Sequence, residues 1–154
     1  MKQVSEVLLV DDNMADVYLA SEALRMTSDS CHLCSVEDGE QALAYLRHEG
    51  CYAYSACPDV VILDLNLPKK SGEAVLAELR SDRSLRKIPV VIFSSSRANR
   101  DIVRSYELGA NCYLSKPGTL VEFVSTVQLI VSFFGGSEGN SKGEQWIAQN
   151  PMSC

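Results

Sequence analysis

Five side chains that could carry out chemistry each stand at the end of a short apolar run of this sequence. They are Asp11, Asp12, Asp64, Ser94 and Lys116. Three carboxylates brought together repel one another unless a cation joins them or one of them keeps a proton. Oxygen ligands favour a hard ion such as Mg²⁺, which binds one or two carboxylates and accepts a phosphoryl oxygen. A lysine ammonium beside such a site can hold a phosphoryl oxygen as a point charge.

This set of groups is suited to phosphoryl transfer onto a carboxylate. A carboxylate next to Mg²⁺ and a lysine can form an aspartyl phosphate, and the transfer depends mainly on positioning and charge neutralisation. We expect Asp64 to be the acceptor because it ends the strand predicted in the middle of the sheet. Asp11 and Asp12, a pair at a neighbouring strand end, are the expected metal residues. Asp11-Asp12-Asn13 could instead serve only as a helix cap, but the groups at the other strand ends favour the metal role.

These residues meet only if the chain folds into a parallel sheet. The run at 60–63, apolar on both faces, is typical of a buried central strand. Further buried strands are predicted at 6–10 and 89–93, and further strands at 32–36 and 112–115; their alternation with helices predicts an α/β fold, a five-stranded parallel sheet with helices on both faces. The order 2-1-3-4-5 is one of the two common doubly wound orders. In such sheets ligands bind at the carboxyl ends of the strands, which share one edge.

Helical patterns separate the strands. The predicted helices are one that follows Asn13 and ends near Met26, and those at 40–48, 71–81, 99–108 and 119–134. Asn13 is a candidate cap for the first of them. In the fourth, Ile102, Val103 and Tyr106 are predicted to lie on one side of the helix.

Length and charge limit the classes of function. The chain has 154 residues, which favours one domain. Its net charge of −6 argues against nucleic acid as a partner, because phosphate binding requires a basic face. The apolar run near the start is too short for a secretory signal, and no stretch approaches the ~20 apolar residues of a membrane span. We therefore expect a cytoplasmic protein that binds neither nucleic acid nor membrane.

Four motifs, taken together, resemble the receiver domain of two-component response regulators. In order, they are LLVDDN, VILDLNLPKKSG, IPVVIFSSS and CYLSKP. The resemblance covers about residues 4–134. It implies a flavodoxin-like (CheY-like) doubly wound fold and a cis bond before Pro117, of the kind seen in tight turns.

The resemblance also implies roles for the residues of the predicted site. Asp64 would take a phosphoryl group from a histidine kinase, while Asp11 and Asp12 would hold Mg²⁺ together with Asp64. The backbone carbonyl of Asn66 would be a further metal ligand, and Lys116 would contact the phosphate. The chain would catalyse only its own phosphorylation and dephosphorylation, and is not expected to be an enzyme in any other sense.

Two further positions match the switch residues of the receiver family. Ser94 stands where the family usually has Thr or Ser, and its hydroxyl would bond the new phosphoryl oxygen and draw its loop inward. Tyr113 stands at the aromatic switch position, and its side chain would change rotamer together with the movement of that loop. The alternative is that Tyr113 is an aromatic residue of the strand with only a structural role. Phosphorylation would change the local charge and so shift the equilibrium between two conformations of the loop and of the adjacent helix face.

A narrower resemblance is to the small receiver-only regulators that partner bacterial phytochrome-type kinases. It rests on DLNLPKKSGEAVLAELR, on SYELGANCYLSKP and on the long loop at 50–57. It implies a light-responsive histidine kinase as phosphodonor, and a homodimer through the last helix and strand. Val121, Leu129 and Phe133 make that helix apolar beyond its core stripe, which is typical of a partner face.

Residues 1–134 are predicted to form the receiver domain, and residues 135–154 a flexible tail, because the tail begins with a Gly/Ser-rich stretch. About twenty residues after the last helix are too few for a DNA-binding output domain. The chain is therefore expected to act by binding, as a phosphorylation-switched module or a phosphorelay intermediate that passes the group to a downstream phosphotransfer protein.

Two alternatives come from other classes of function. A phosphatase resembling haloacid-dehalogenase hydrolases would need an acid/base Asp two residues after the nucleophile, where this chain has Asn66. A pseudo-receiver, folded but acting as a phosphorylation-independent interaction module, is the remaining alternative. The complete set of acids, serine and lysine argues against it.

Overall fold

The computed structural model describes residues 5–27 and 31–134, in which five strands alternate with five α-helices. The strands are β1 (Ser5–Val10), β2 (Cys31–Val36), β3 (Val60–Leu63), β4 (Val90–Ser94) and β5 (Cys112–Ser115). The helices are α1 (Met14–Thr27), α2 (Gly39–Leu46), α3 (Gly72–Ser81), α4 (Asn99–Glu107) and α5 (Leu120–Phe134), with a 3₁₀ turn at Gly50–Tyr52. The predicted elements agree with these bounds to within two residues. The predicted tail, 135–154, lies outside the described residues.

The five strands form one parallel sheet in the order β2-β1-β3-β4-β5, which confirms the predicted 2-1-3-4-5 topology. The ends of β1 and β3 are in register, since Val10 lies opposite Leu63. The ladder continues one step further, where the backbone N–H of Asp64 donates to the carbonyl of Val10 at 3.0 Å. The residues that follow these two strands, Asp11 and Asp64, therefore emerge side by side.

Both faces of the sheet are covered by helices, as the apolar run of the central strand predicted. Val61 and Leu63 of β3 point to the layer formed with α2 and α3, and Val60 and Ile62 point to the layer formed with α1 and α5. All four side chains are buried. A strand buried on both faces has no polar position to offer, so its first polar side chain comes where it ends, at Asp64.

The helices that flank the site begin at polar caps. The backbone N–H groups of Ala15 and Asp16 donate to Oδ1 of Asn13 at 3.0 and 3.2 Å, which confirms Asn13 as the cap of α1. Oγ of Ser71 accepts from the N–H of Ala74 at the start of α3. These caps fix the two helix ends that border the carboxyl edge of the sheet.

Two negative findings concern the described part of the chain. It contains no cis peptide bond, so the prediction of a cis bond before Pro117 was wrong. The bond has the trans form, which X–Pro bonds favour by about 0.5–1 kcal/mol. In the same ranges, 5–27 and 31–134, no helix has the length and apolar character needed to cross a membrane.

Candidate functional site

Three carboxylates meet at the carboxyl edge of the sheet. Asp11 and Asp12 follow β1 and Asp64 follows β3, and one oxygen of each lies within 4.8 Å of the others. Asp11 and Asp64 are buried, while Asp12 is exposed. The structure thus brings together the three acids that the sequence analysis assigned to a metal, in an arrangement that a cation could reach from solvent.

Lys116 supplies the positive charge of the site. Its Nζ lies 2.8 Å from Oδ2 of Asp11, 2.8 Å from Oδ2 of Asp16 and 3.1 Å from Oδ2 of Asp64. An ammonium has three N–H donors, so these three carboxylates use all of them. The backbone of Lys116 is fixed as well, because its N–H donates to the carbonyl of Ser94 at 2.8 Å.

Backbone groups orient the two buried carboxylates. Oδ1 of Asp11 accepts from the N–H of Asn13 at 2.9 Å, and Oδ1 of Asp64 accepts from the N–H of Leu65 at 2.7 Å. In each residue the other oxygen, Oδ2, accepts from Lys116. The loop backbone and the lysine therefore hold both side chains in one orientation before any ligand arrives.

The electrostatics of the site fit an additional cation. Burial raises the pKa of Asp11 above its ordinary value, and the hydrogen bonds from Lys116 and from the backbone of Asn13 oppose this only in part. Burial by itself would lower the pKa of Lys116, but its hydrogen bonds to Asp11 and Asp16, together with the charges of Asp11 and Asp64, outweigh burial and raise the pKa well above the ordinary value. One fully charged ammonium thus faces a surplus of carboxylates, and a divalent cation among oxygen ligands would offset that surplus.

Ser94 and Tyr113 are joined through the loop that follows β4. Ser94 is fully buried, and its Oγ accepts from the N–H of Ser96 at 3.2 Å. The Tyr113 hydroxyl donates to the carbonyl of Ser96 at 2.8 Å, and burial raises the pKa of this hydroxyl. Oγ of Ser96 also donates to Oδ2 of Asp101 in α4 at 2.5 Å. The loop therefore links β4, β5 and α4.

The other predicted residues are Asn66, in the loop after Asp64, and the apolar residues of α5. Asn66 is exposed in the loop between β3 and α3, two residues after Asp64. On the outer surface of α5, Val121 and Leu129 are 77% and 38% exposed. Phe133 is half-buried and packs against the layer formed with α1 and α5, so it adds less apolar surface to a partner face than the sequence predicted.

Asp16 is a residue of the site that was not predicted from the sequence. This residue lies in the first turn of α1, three positions after the cap Asn13. An acid at that position is typical of a helix start, where it interacts favourably with the helix dipole. Because this local role explains the acid by itself, the sequence does not predict its contact with Lys116, which is 100 residues away.

Comparisons with known proteins agree with this geometry. Residues 7–128 match the family described as "Response regulator receiver domain". The chain is 42% identical over 128 residues to "Response regulator Rcp1" of Synechocystis sp., an alignment that covers 83% of this chain and 87% of that protein. The predicted resemblance to receivers is therefore confirmed.

Solved structures give the same result. A structure described as the phosphorylated cyanobacterial phytochrome response regulator RcpA has a TM-score of 0.82 and 45% identity, covering 85% of this chain and 94% of that one. The Mn²⁺-bound form of response regulator Rcp1 has a TM-score of 0.80 and 41% identity, covering 86% and 96%. These similarities confirm the predicted CheY-like fold and the narrower resemblance to phytochrome response regulators. This chain belongs to the response regulator receiver family and is a protein of two-component signalling.

Proposed function

We propose that this chain accepts a phosphoryl group on Asp64 from a histidine kinase and that the modification switches its binding to partners. The observation that best supports this is the Lys116 ammonium, which bonds Asp11 at 2.8 Å and Asp64 at 3.1 Å at the carboxyl edge of the sheet. Phosphoryl transfer depends on positioning and on neutralising charge. The site offers both around one buried carboxylate.

The chain's own residues carry out the transfer as follows. A carboxylate oxygen of Asp64 attacks phosphorus while the bond from phosphorus to the donor imidazole nitrogen breaks, and that nitrogen keeps the electron pair. The N–H of Leu65 orients the Asp64 side chain at 2.7 Å. Lys116 neutralises charge on the phosphoryl oxygens. When bound by Asp11, Asp12, Asp64 and the backbone carbonyl of Asn66, Mg²⁺ would supply the remaining neutralisation.

Ser94 and Tyr113 are proposed to report the modification. The Ser94 hydroxyl bonds a new phosphoryl oxygen and draws the loop after β4 toward the site. Tyr113 follows because its hydroxyl is tied to Ser96 of that loop. The surface formed by α4 and β5 then differs between the two states, which is what a binding partner would distinguish.

The partners are proposed on the similarities reported above. A relative described as a cyanobacterial phytochrome response regulator favours a phytochrome-type histidine kinase as phosphodonor. A downstream phosphotransfer protein and a second copy of this chain, docked through α5 and β5, are the other proposed partners. The net charge of −6 favours protein partners over nucleic acid, and we propose that the protein works in the cytoplasm, away from the membrane. Its catalysis is limited to its own phosphorylation and dephosphorylation.

Intact-mass measurement after incubation with Mg²⁺ and acetyl phosphate tests the proposal. Wild type should gain one phosphoryl adduct that mild alkali removes, since an acyl phosphate is labile to hydroxide. Asp64→Asn should gain none. The control is Asp59→Asn, which changes a carboxylate that accepts from the backbone of Glu6 near the opposite end of β3; it should be labelled like wild type.

Each of the other results has a definite meaning. Normal labelling of Asp64→Asn would refute the assignment of the acceptor. A folded wild-type protein that takes no adduct would refute the proposed function and favour the phosphorylation-independent interaction module.

A further inference from the structure

We propose that Asp16 positions the Lys116 ammonium for the phosphoryl group, an inference that rests on the proposed phosphorylation of Asp64. Oδ2 of Asp16 lies 2.8 Å from Nζ of Lys116, as close as Asp11 and closer than Asp64 at 3.1 Å. The contact is shielded from water, since the side chains of Lys116 and Asp16 are 10% and 19% exposed. Shielding makes such a charged hydrogen bond stronger than an exposed pair.

Asp16 differs from the other two partners of Lys116 in one respect. Among the described residues, the acids close enough to share a cation at this edge are Asp11, Asp12 and Asp64, and Asp16 is not one of them. A bound cation and a phosphoryl group both draw on the oxygens of Asp11 and Asp64. Asp16 is then the partner that can keep its hydrogen bond to Lys116 throughout the reaction.

The position of Asp16 is itself fixed by the fold. Its backbone N–H donates to Oδ1 of Asn13 at 3.2 Å, in the first turn of α1. Further along α1, Ala20, Ala23 and Leu24 are buried against the sheet and α5. The carboxylate therefore projects from a rigid element and can hold the ammonium in one place.

Removing Asp16 leaves Lys116 with the two carboxylates that the reaction needs. The ammonium would then shift toward Asp11 and Asp64, where it competes with the cation and with the incoming group. At saturating Mg²⁺, Asp16→Asn should slow labelling by acetyl phosphate about tenfold, the size expected for one lost charge-assisted hydrogen bond. Asp16→Glu should restore part of the rate, because it returns a carboxylate to the same face.

Two controls separate this role from a general effect of charge or folding. Glu22→Gln removes a negative charge from the same helix at an exposed pair with Arg25, and should leave the labelling rate unchanged. In a Lys116→Met background, Asp16→Asn should cause no further slowing, because a residue that acts through Lys116 has nothing left to position. Slowing that persists in that background, or unchanged labelling of Asp16→Asn alone, would overturn the proposal.

A second measurement does not depend on phosphorylation. In brief reductive methylation followed by peptide mass spectrometry, Asp16→Asn should raise the modification rate of Lys116 several-fold over wild type, since the ammonium loses one of its three partners. The exposed Lys87 serves as internal reference. An unchanged rate at Lys116 would contradict the proposal. If wild type took no phosphoryl adduct, the proposed function would fail, while this measurement would still decide whether Asp16 holds Lys116.

Discussion

The ammonium of Lys116 contacts the carboxylates of Asp11, Asp16 and Asp64, and the carboxylate of Asp12 lies close to those of Asp11 and Asp64. Burial raises the pKa of Asp11, the direction expected for a carboxylate removed from water. Carboxylates crowded in this way repel one another, and that repulsion lowers the stability of the folded chain. The cost should be visible when one charge is removed.

Asp12→Asn tests that cost at an exposed position. The three donors of Lys116 go to other carboxylates, so Asp12 adds repulsion to the metal-free site. We expect the free energy of unfolding without metal to rise by about 0.5 kcal/mol, as is usual for an exposed charge interaction. The extra stability that Mg²⁺ gives the wild type by binding only the folded state should be largely lost. Urea unfolding with and without Mg²⁺ measures both quantities.

The control for that experiment is Glu40→Gln, which removes an exposed carboxylate from the first turn of α2. Its Mg²⁺-dependent stabilisation should equal that of wild type. Equal stabilisation of Asp12→Asn by Mg²⁺ would show that Asp12 is not a metal residue.

At the scale of elements, the loop between β3 and α3 holds the backbone of Asp64 in place. The N–H of Gly72 donates to the carbonyl of Leu65 at 2.9 Å, which folds the loop back on itself. Lys69 within the loop has a φ of 66°, a conformation that is uncommon for residues with a side chain. The first turn of α3 therefore lies directly against the backbone of Asp64, the proposed phosphoacceptor.

Gly72→Ala tests this close approach. A Cβ at this position would lie 2.1 Å from the carbonyl oxygen of Asp64, so the helix or the loop must shift. We expect the free energy of unfolding to fall by about 1–3 kcal/mol, the usual cost of overpacking. Gly118→Ala is the matched control, because a Cβ there meets nothing within 4 Å. Urea denaturation compares the two, and equal stabilities would contradict the contact.

At the scale of the whole molecule, α1 and α5 cover one face of the sheet and leave part of α5 facing outward. Val121 and Leu129 lie on that outer surface, whereas Phe133 turns partly into the core. An apolar surface of this kind is where a second copy of the chain could dock. The proposed homodimer therefore depends on the first two residues more than on the third.

A charge on this surface should weaken the dimer. We expect Val121→Glu or Leu129→Glu to weaken self-association by about tenfold or more, because burying an unpaired charge is unfavourable. Sedimentation velocity should show a shift toward the monomer. Tyr54→Glu, at a fully exposed position in the loop before β3, is the control and should leave the distribution unchanged. An unchanged distribution for both α5 variants would count against this interface.

The fold could be predicted from the sequence because each buried parallel strand needs an apolar run and each run ends in a polar residue. The run at 60–63 therefore marked both the central strand and Asp64. Helical periodicity was less informative, since it indicates which residues share a face but not which face is buried. In α4, Ile102 and Tyr106 pack against the core, whereas Val103, predicted to lie on the same side of the helix, is 55% exposed.

The sequence by itself thus determined which segments form strands and which side chains stand at their carboxyl ends, since both follow from local hydrophobic pattern and the geometry of parallel sheets. Only the tertiary structure decided which of those groups touch. Asp16 and Lys116 form a hydrogen bond across 100 residues, and the local position of Asp16 predicts only a helix start. The register of β1 against β3 and the packing of α1 bring the charges of Asp16 and Lys116 together. No periodicity in the sequence predicts this contact.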